Sequence, residues 1–191
     1  MTQHITRGGA EPANDHRAGT ARLGGLSAAD FKTAFRNHAA GVAVITADAG
    51  DGPVGLTATS VFSVSAEPPL LIFSVSSSSS ASPTLQRADT VIVHLLGAAQ
   101  VDLARLCATS GIDRFADRSI WDRLLTGEPY FPAAHVWIRA RVIERMEAGT
   151  STVIAAHALQ AALPDEDGDE APLVYHNRGY HALGPHTRHD G

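Results

Sequence analysis

The sequence predicts a mainly β domain with short helices, a β-barrel or sandwich with helical additions. Three observations carry this reading. Short β-branched runs such as Val42-Ala43-Val44-Ile45-Thr46 alternate with turn clusters. The continuous apolar run over residues 70–75 suits a buried strand. Helix-period segments are few and short, and no internal repeat is present.

Residues 1–25 are rich in Gly, Ala, Thr, Asn and His, with apolar side chains scattered singly, and are expected to form a flexible tail. The domain is expected over residues 26–184, with 185–191 as a C-terminal tail. Ser27 suits an N-cap for a helix over 28–38, with Asp30 in the capping-box position where Glu or Gln is usual. Phe31, Ala34, Phe35 and His38 would form its inward face, and Gly41 would end it.

A strand over 42–46, a turn over 48–53 and a strand-and-loop stretch over 54–65 follow, closed by Pro68-Pro69. After the strand at 70–75, the serine run at 76–80 reads either as a flexible loop or as a hydroxyl-lined anion site. A short helix over 83–88 opened by Ser82, a strand over 90–96 and a helix over 100–108 come next. Residues 113–115 and 121–125 suggest mixed loop and helix, and 135–144 a strand. Residues 151–163 fit either a strand or a helix, and their alanines favour helix. Residues 165–170 read as a solvated acidic loop, and 173–175 with 180–183 as a hairpin around Asn177-Arg178-Gly179.

Composition narrows the function classes. At 191 residues, 44% hydrophobic and 18% charged, the chain can bury one sizeable core. A net charge of −5 without any basic run argues against a nucleic-acid face or a polybasic membrane anchor. No apolar stretch reaches the roughly 18 residues of a membrane helix. No secretory signal pattern is visible, so a cytoplasmic protein is expected. The single cysteine, Cys107, excludes a disulfide framework within one chain. The ten histidines lack ligand spacing, so no metal is expected: His176 and His181 flank a turn, and no H-E-x-x-H pair exists. G-x-S-x-G, Walker-type and G-x-G-x-x-G motifs are also absent.

What remains is Gly55-Leu56-Thr57-Ala58-Thr59-Ser60-Val61-Phe62-Ser63-Val64-Ser65. Small residues and dense hydroxyls let a backbone approach a flat or anionic ligand closely. The same composition also suits an ordinary Thr/Ser-rich strand edge. Ser74, Ser76, Ser80 and Arg114 could complete a phosphate site, although the sequence does not bring them together.

This segment, with Gly41 to Thr46 before it and Ser63-Val64-Ser65-Ala66-Glu67-Pro68-Pro69-Leu70 after it, resembles the opening of the flavin reductase-like family. Asp113-Arg114-Phe115, Gly127-Glu128-Pro129 and Leu173-Val174-Tyr175-His176 continue the likeness, which spans about residues 31–183. The resemblance implies an antiparallel FMN-binding split β-barrel of Greek-key type, usually a homodimer with flavin near the subunit interface. It implies reduction of FMN or FAD by NADH or NADPH and delivery of the reduced flavin to a partner monooxygenase. By position, Thr57, Ala58, Thr59, Ser60, Ser63 and Val64 would line the flavin. Ser74, Val75, Ser76 and Ser80 would add contacts toward the ribityl-phosphate, Cys107 and Ala108 would match a flavin-contacting pair, and Arg114 would suit the phosphate. Cys107 on its own reads as a small buried hydrophobe. Hydride transfer of this kind needs stacked rings and hydrogen bonds to the flavin rather than an acid–base residue.

One motif departs from the family. Its usual Gly-Asp-His reads Gly149-Thr150-Ser151 here, and its frequent strand asparagine is His94. Ser151 and His157 are therefore the candidates near the nicotinamide. The departure keeps a second reading open: a flavin-binding carrier, sensor or partner-binding module with little reductase activity. A third keeps the barrel and changes the flat cofactor. The resemblance also implies that residues 152–158 form a strand despite their alanines.

Overall fold

The computed structural model describes residues 25–164 and 170–187. All but the last residue of the expected tail over 1–25, and most of the acidic loop, therefore lie outside the described residues. Among the described residues there are three α-helices: α1 (Ala28–Arg36), α2 (Ser82–Leu85) and α3 (Val101–Ala108), the last entered through a 3₁₀ turn at Ala98–Gln100. The strands are β1 (Ala40–Gly41), β2 (Ala43–Ala47), β3 (Val54–Ala58), β4 (Phe62–Ala66), β5 (Pro69–Ser76) and β6 (Thr90–Leu95). They continue with β7 (Asp122–Arg123), β8 (Pro129–Tyr130), β9 (Val136–Ala148), β10 (Ser151–Ala162), β11 (Leu173–His176) and β12 (Gly179–Ala182).

Seven strands form one antiparallel sheet in the order β3-β2-β6-β9-β10-β5-β4. Small sheets β1-β11-β12 and β7-β8 complete the β structure. Strands β3 and β4, consecutive in sequence, are the two edges of the large sheet and are not paired with each other. Side chains from β2, β3, β5, β6, β9 and β10 meet in one apolar cluster that includes Ile45, Phe73, Val93, Ala140 and Ile154. The other face of β2 packs Val44 against a second cluster holding Cys107, Phe115, Trp121 and Phe131. Burial on both faces explains why β2 is apolar except at Thr46, whose hydroxyl donates to the Pro129 carbonyl.

Strand β10 decides the helix-or-strand ambiguity. Thr152, Ile154 and Ala156 alternate inward, and the strand pairs with β5 on one side and β9 on the other. Cross-strand pairing overrides the alanine propensity.

Several expectations need correction. The first helix ends at Arg36, with Asn37 as C-cap, and Gly41 belongs to β1. Ser27 does cap it, accepting from the Asp30 N–H at 3.1 Å. Its supposed inward face is outward: α1 buries nothing, and Phe31 and Phe35 are 53% and 58% exposed. Ser82 lies inside α2, whose N-cap is Ala81, because Pro83 sets the first turn. Residues 113–125 hold no helix; Trp121 instead anchors the loop by donating from Nε1 to the Phe115 carbonyl at 2.9 Å.

Glu170 is not solvated but half-buried, accepting from the Ala99 N–H at 3.0 Å and from Gln100, with His135 Nδ1 lying 3.2 Å from its carboxylate. Of the C-terminal tail, Pro185–Thr187 form a 3₁₀ turn.

Two buried polar groups fix the packing around the sheet. His94, fully buried in β6, accepts the Phe131 N–H at Nε2 (3.0 Å) and donates from Nδ1 to the Val44 carbonyl at 2.9 Å. Burial pushes its pKa down to about 4, and the Val44 bond opposes that only partly, so the ring is neutral. One donor and one acceptor are what an asparagine amide would also offer here. Glu128 accepts from Thr90 Oγ1 and Arg139 Nε, both at 2.7 Å, and from the Thr126 hydroxyl. Burial raises its pKa, but the two hydroxyls and Arg139 outweigh it and hold the carboxyl below its usual range.

Candidate functional site

The β3–β4 connection carries the hydroxyl-rich motif, and much of its chemistry is turned inward. Thr57 Oγ1 donates to the Ala104 carbonyl at 2.6 Å, tying β3 to α3. Ser60 Oγ accepts the Ser74 N–H at 3.1 Å and donates to the Ser74 carbonyl at 3.3 Å, tying the connection to β5. These hydroxyls place the backbone first, and they keep acceptor capacity for a ligand. Ala58 is buried and Thr59 exposed. Gly55 packs against the Phe115 ring, and a Cβ there would meet it at 3.4 Å, an ordinary packing distance.

The serine run following β5 is a structured turn. Ser76 and Ser78 hydroxyls bond at 2.8 Å, and the Ser79 N–H donates to the Ser76 carbonyl at 3.0 Å. Arg114 reaches this turn from beyond α3. Its Nη1 donates to Ser80 Oγ at 3.2 Å, while Nε and Nη2 donate to the Cys107 and Thr109 carbonyls at 3.0 and 2.8 Å. The guanidinium thus closes the C-terminal end of α3, where a cation is favourable. It has no ion-pair partner among the described residues. Three of its five N–H groups are used, which leaves donors and an uncompensated charge for an anion.

Cys107 is buried, and burial pushes its thiol up to about 12 against the pull of Arg114, so no thiolate forms near neutral pH. Ala108 is exposed at the helix end. Val75 is core.

The departing Gly149-Thr150-Ser151 turn joins β9 to β10 and packs on the serine turn. Gly149 has φ +64°, the Thr150 carbonyl accepts the Ser77 N–H at 2.9 Å, and Ser151 pairs with Ser76. The nearby Glu147 carboxylate is engaged by the Thr152 hydroxyl at 3.0 Å. His157 pairs with Leu70 at the other end of the same ladder. Six residues of strand put it about 20 Å from Ser151, so the two candidates do not share a site.

Two hollows adjoin the motif. One, of about 540 Å³, contains Thr59, Ser60, Phe62 and Tyr175 with residues of α1 and the β11–β12 turn. The other, of about 320 Å³, is largely apolar and contains Val61, Ser63, Leu71 and Ile138. Ser63 therefore opens away from Thr59 and Ser60, and Val64 sits exposed at an irregularity in the β4–β5 pairing. The α1 contribution of Phe31, Lys32, Phe35 and Arg36 was missed from sequence. Its signal is the pairing of aromatic and basic residues at i, i+4 on one helix face.

Comparison with known proteins decides the family. The flavin reductase-like domain matches residues 35–184. The chain belongs to the flavin reductase-like family. Its relatives include an NADH:FMN oxidoreductase of Rhodococcus qingshengii, 41% identical over 162 residues, covering 84% of each chain. An NADH:riboflavin 5'-phosphate oxidoreductase of Streptomyces pristinaespiralis is 34% identical over 160 residues, covering 82% of this chain and 89% of that protein. Among solved structures, a flavin reductase domain protein from Arthrobacter sp. FB24 superposes with a TM-score of 0.77 at 32% identity, covering 82% of this chain and 96% of that one. BorF, the flavin reductase component of a bacterial two-component tryptophan halogenase, gives 0.73 at 28% identity, covering 82% and 98%. Among the described residues of this family member, no helix is long and apolar enough to cross a membrane.

Proposed function

We propose that this protein is an NAD(P)H-dependent flavin reductase that supplies reduced FMN or FAD to a partner monooxygenase. The observation that carries the reading is the Arg114–Ser80 contact. It joins a cation without a carboxylate to the serine turn, beside the α3 end that Thr57 ties to the motif. Such a cradle fits a flavin phosphate: hydroxyls and spare guanidinium N–H groups converge, and no carboxylate pairs with the cation among the described residues. The names of the relatives point to NADH as donor and FMN as acceptor.

Bound flavin would supply the hydride-accepting ring. Arg114 and Ser80 would hold the phosphate, and the Thr57–Ser60 backbone would orient the ring system. Ser151, next to Ser76 in the ladder, is favoured over the distant His157 as the hydroxyl near the donor. Ser74, Val75, Ser76, Cys107 and Ala108 flank the serine turn and α3 and are read as walls of the same cradle, whereas Ser63 and Val64 are site residues by the family resemblance alone.

The large sheet is read as a split barrel, since its strands surround one core and Ser60 ties the β3–β4 link to β5. A cytoplasmic homodimer completes the proposal, with exposed Val64, Ile143 and Met146 as apolar surface for the second copy. Light scattering would test the dimer. A mixture of FMN, NADH and purified protein tests the activity through loss of nicotinamide absorbance. The absence of a carboxylate or imidazole in Gly149-Thr150-Ser151 favours one second reading, a flavin carrier with little turnover. Tight FMN binding without NADH oxidation would select it.

A further inference from the structure

The groove between α1 and the β11–β12 turn has a composition the fold does not use. Phe31 and Phe35 pack with ring centroids 4.6 Å apart, tilted by 35°, and stay exposed. Lys32 and Arg36 stand on the same helix, and Arg178 projects from the facing turn. Asn177 and Arg178 both have positive φ, 47° and 66°, and the Asn177 N–H donates to the Arg36 carbonyl at 3.0 Å. That bond fixes the two cationic walls against each other. None of the three cations has an ion-pair partner among the described residues. Among the described residues that line the groove there is no Asp or Glu, in a chain with 20 acidic residues against 15 basic ones. Its volume of about 540 Å³ is that of a small-molecule site. It opens onto Thr59 and Ser60.

We propose that this groove binds the adenosine diphosphate portion of the nicotinamide dinucleotide, with Lys32, Arg36 and Arg178 on the pyrophosphate and the Phe31–Phe35 face against the adenine. The inference rests on the reductase reading and deepens it. An acid-free cationic wall suits a dianionic pyrophosphate, because its field concentrates anions and no local carboxylate competes. Exposed aromatic rings suit a purine, which stacks on them. With FMN as the flavin, the nicotinamide donor is the only reactant that carries an adenosine diphosphate.

The test compares wild type with Lys32→Glu/Arg36→Glu, and with Arg178→Ala should the double reversal unfold the helix. In steady-state assays with FMN, the variant's KM for NADH is expected to rise about tenfold or more, the loss of one to two charge-assisted bonds. Its KM for FMN should stay at the wild-type value. ADP-ribose, titrated calorimetrically, should bind wild type in a salt-dependent manner and fail to bind the variant. An unchanged KM for NADH with no ADP-ribose binding to wild type overturns the proposal while leaving the reductase reading intact. A raised KM for FAD, with NADH unaffected, overturns it in favour of the flavin's adenosine. A change in molar mass with ADP-ribose affinity retained overturns it in favour of a second copy covering the groove. Should wild type oxidise no NADH, the reductase reading fails, and the ADP-ribose titration alone decides the groove.

Discussion

Arg139 on β9 donates to the buried Glu128 carboxylate, and two threonine hydroxyls complete that carboxylate's partners. Lys32, Arg36, Arg178 and Arg114 lie along the α1 groove and the serine turn with no carboxylate partner among the described residues. The contrast separates charges that the fold consumes from charges left available to a ligand. A paired, buried charge costs stability when broken, because its partner is stranded. An unpaired exposed cation costs the fold little when removed, so its loss should register in binding.

The largest effect is therefore expected on the paired side. Arg139→Ala should destabilise the protein by about 3–5 kcal/mol in urea titration, since it strands a buried carboxylate. A loss below about 1 kcal/mol would erase the contrast. Next comes His94, whose proton is held off until about pH 4 when folded. The unfolded chain takes up that proton near pH ~6.5. Stability should be full above that value and fall by about 3 kcal/mol as pH drops from 6.5 toward 4. His94→Asn, which keeps one donor and one acceptor, should flatten that slope, and an unchanged slope would assign it to other groups.

On the unpaired side, Arg114→Ala should weaken FMN binding by about tenfold or more in a fluorescence titration. Its cost in stability should be only about 1 kcal/mol, from the lost cap on α3. The reverse ranking would make Arg114 a structural residue. The smallest effect is expected for Ser151→His, which restores an imidazole to the turn beside Ser76. A modest rise in NADH turnover should follow, and no rise would place the donor's contacts elsewhere.

Legibility from sequence follows the same division. The strands read well because burial leaves a period-two or continuous apolar record, as in β2 and β5. Strand β10 is ambiguous because alanine records burial weakly and favours helix, and one of its two pairing partners, β5, is remote in sequence. Helix α1 misled through its faithful amphipathic pattern: the apolar face exists, but in this chain it is directed outward. Its role depends on the β11–β12 turn more than a hundred residues away. Glu170 likewise reads as part of a solvated acidic run, because its bonds from Ala99 and Gln100 and its contact with His135 are long-range. The motif hydroxyls stand out in the sequence, yet their bonds to Ala104 and Ser74 are a tertiary fact that composition does not encode.

The most direct test of the account is NADH oxidation by purified wild-type protein with micromolar FMN, run beside an FMN-binding titration. The account predicts flavin-dependent turnover together with saturable binding that Arg114→Ala weakens. Neither binding nor turnover with FMN or FAD would contradict it.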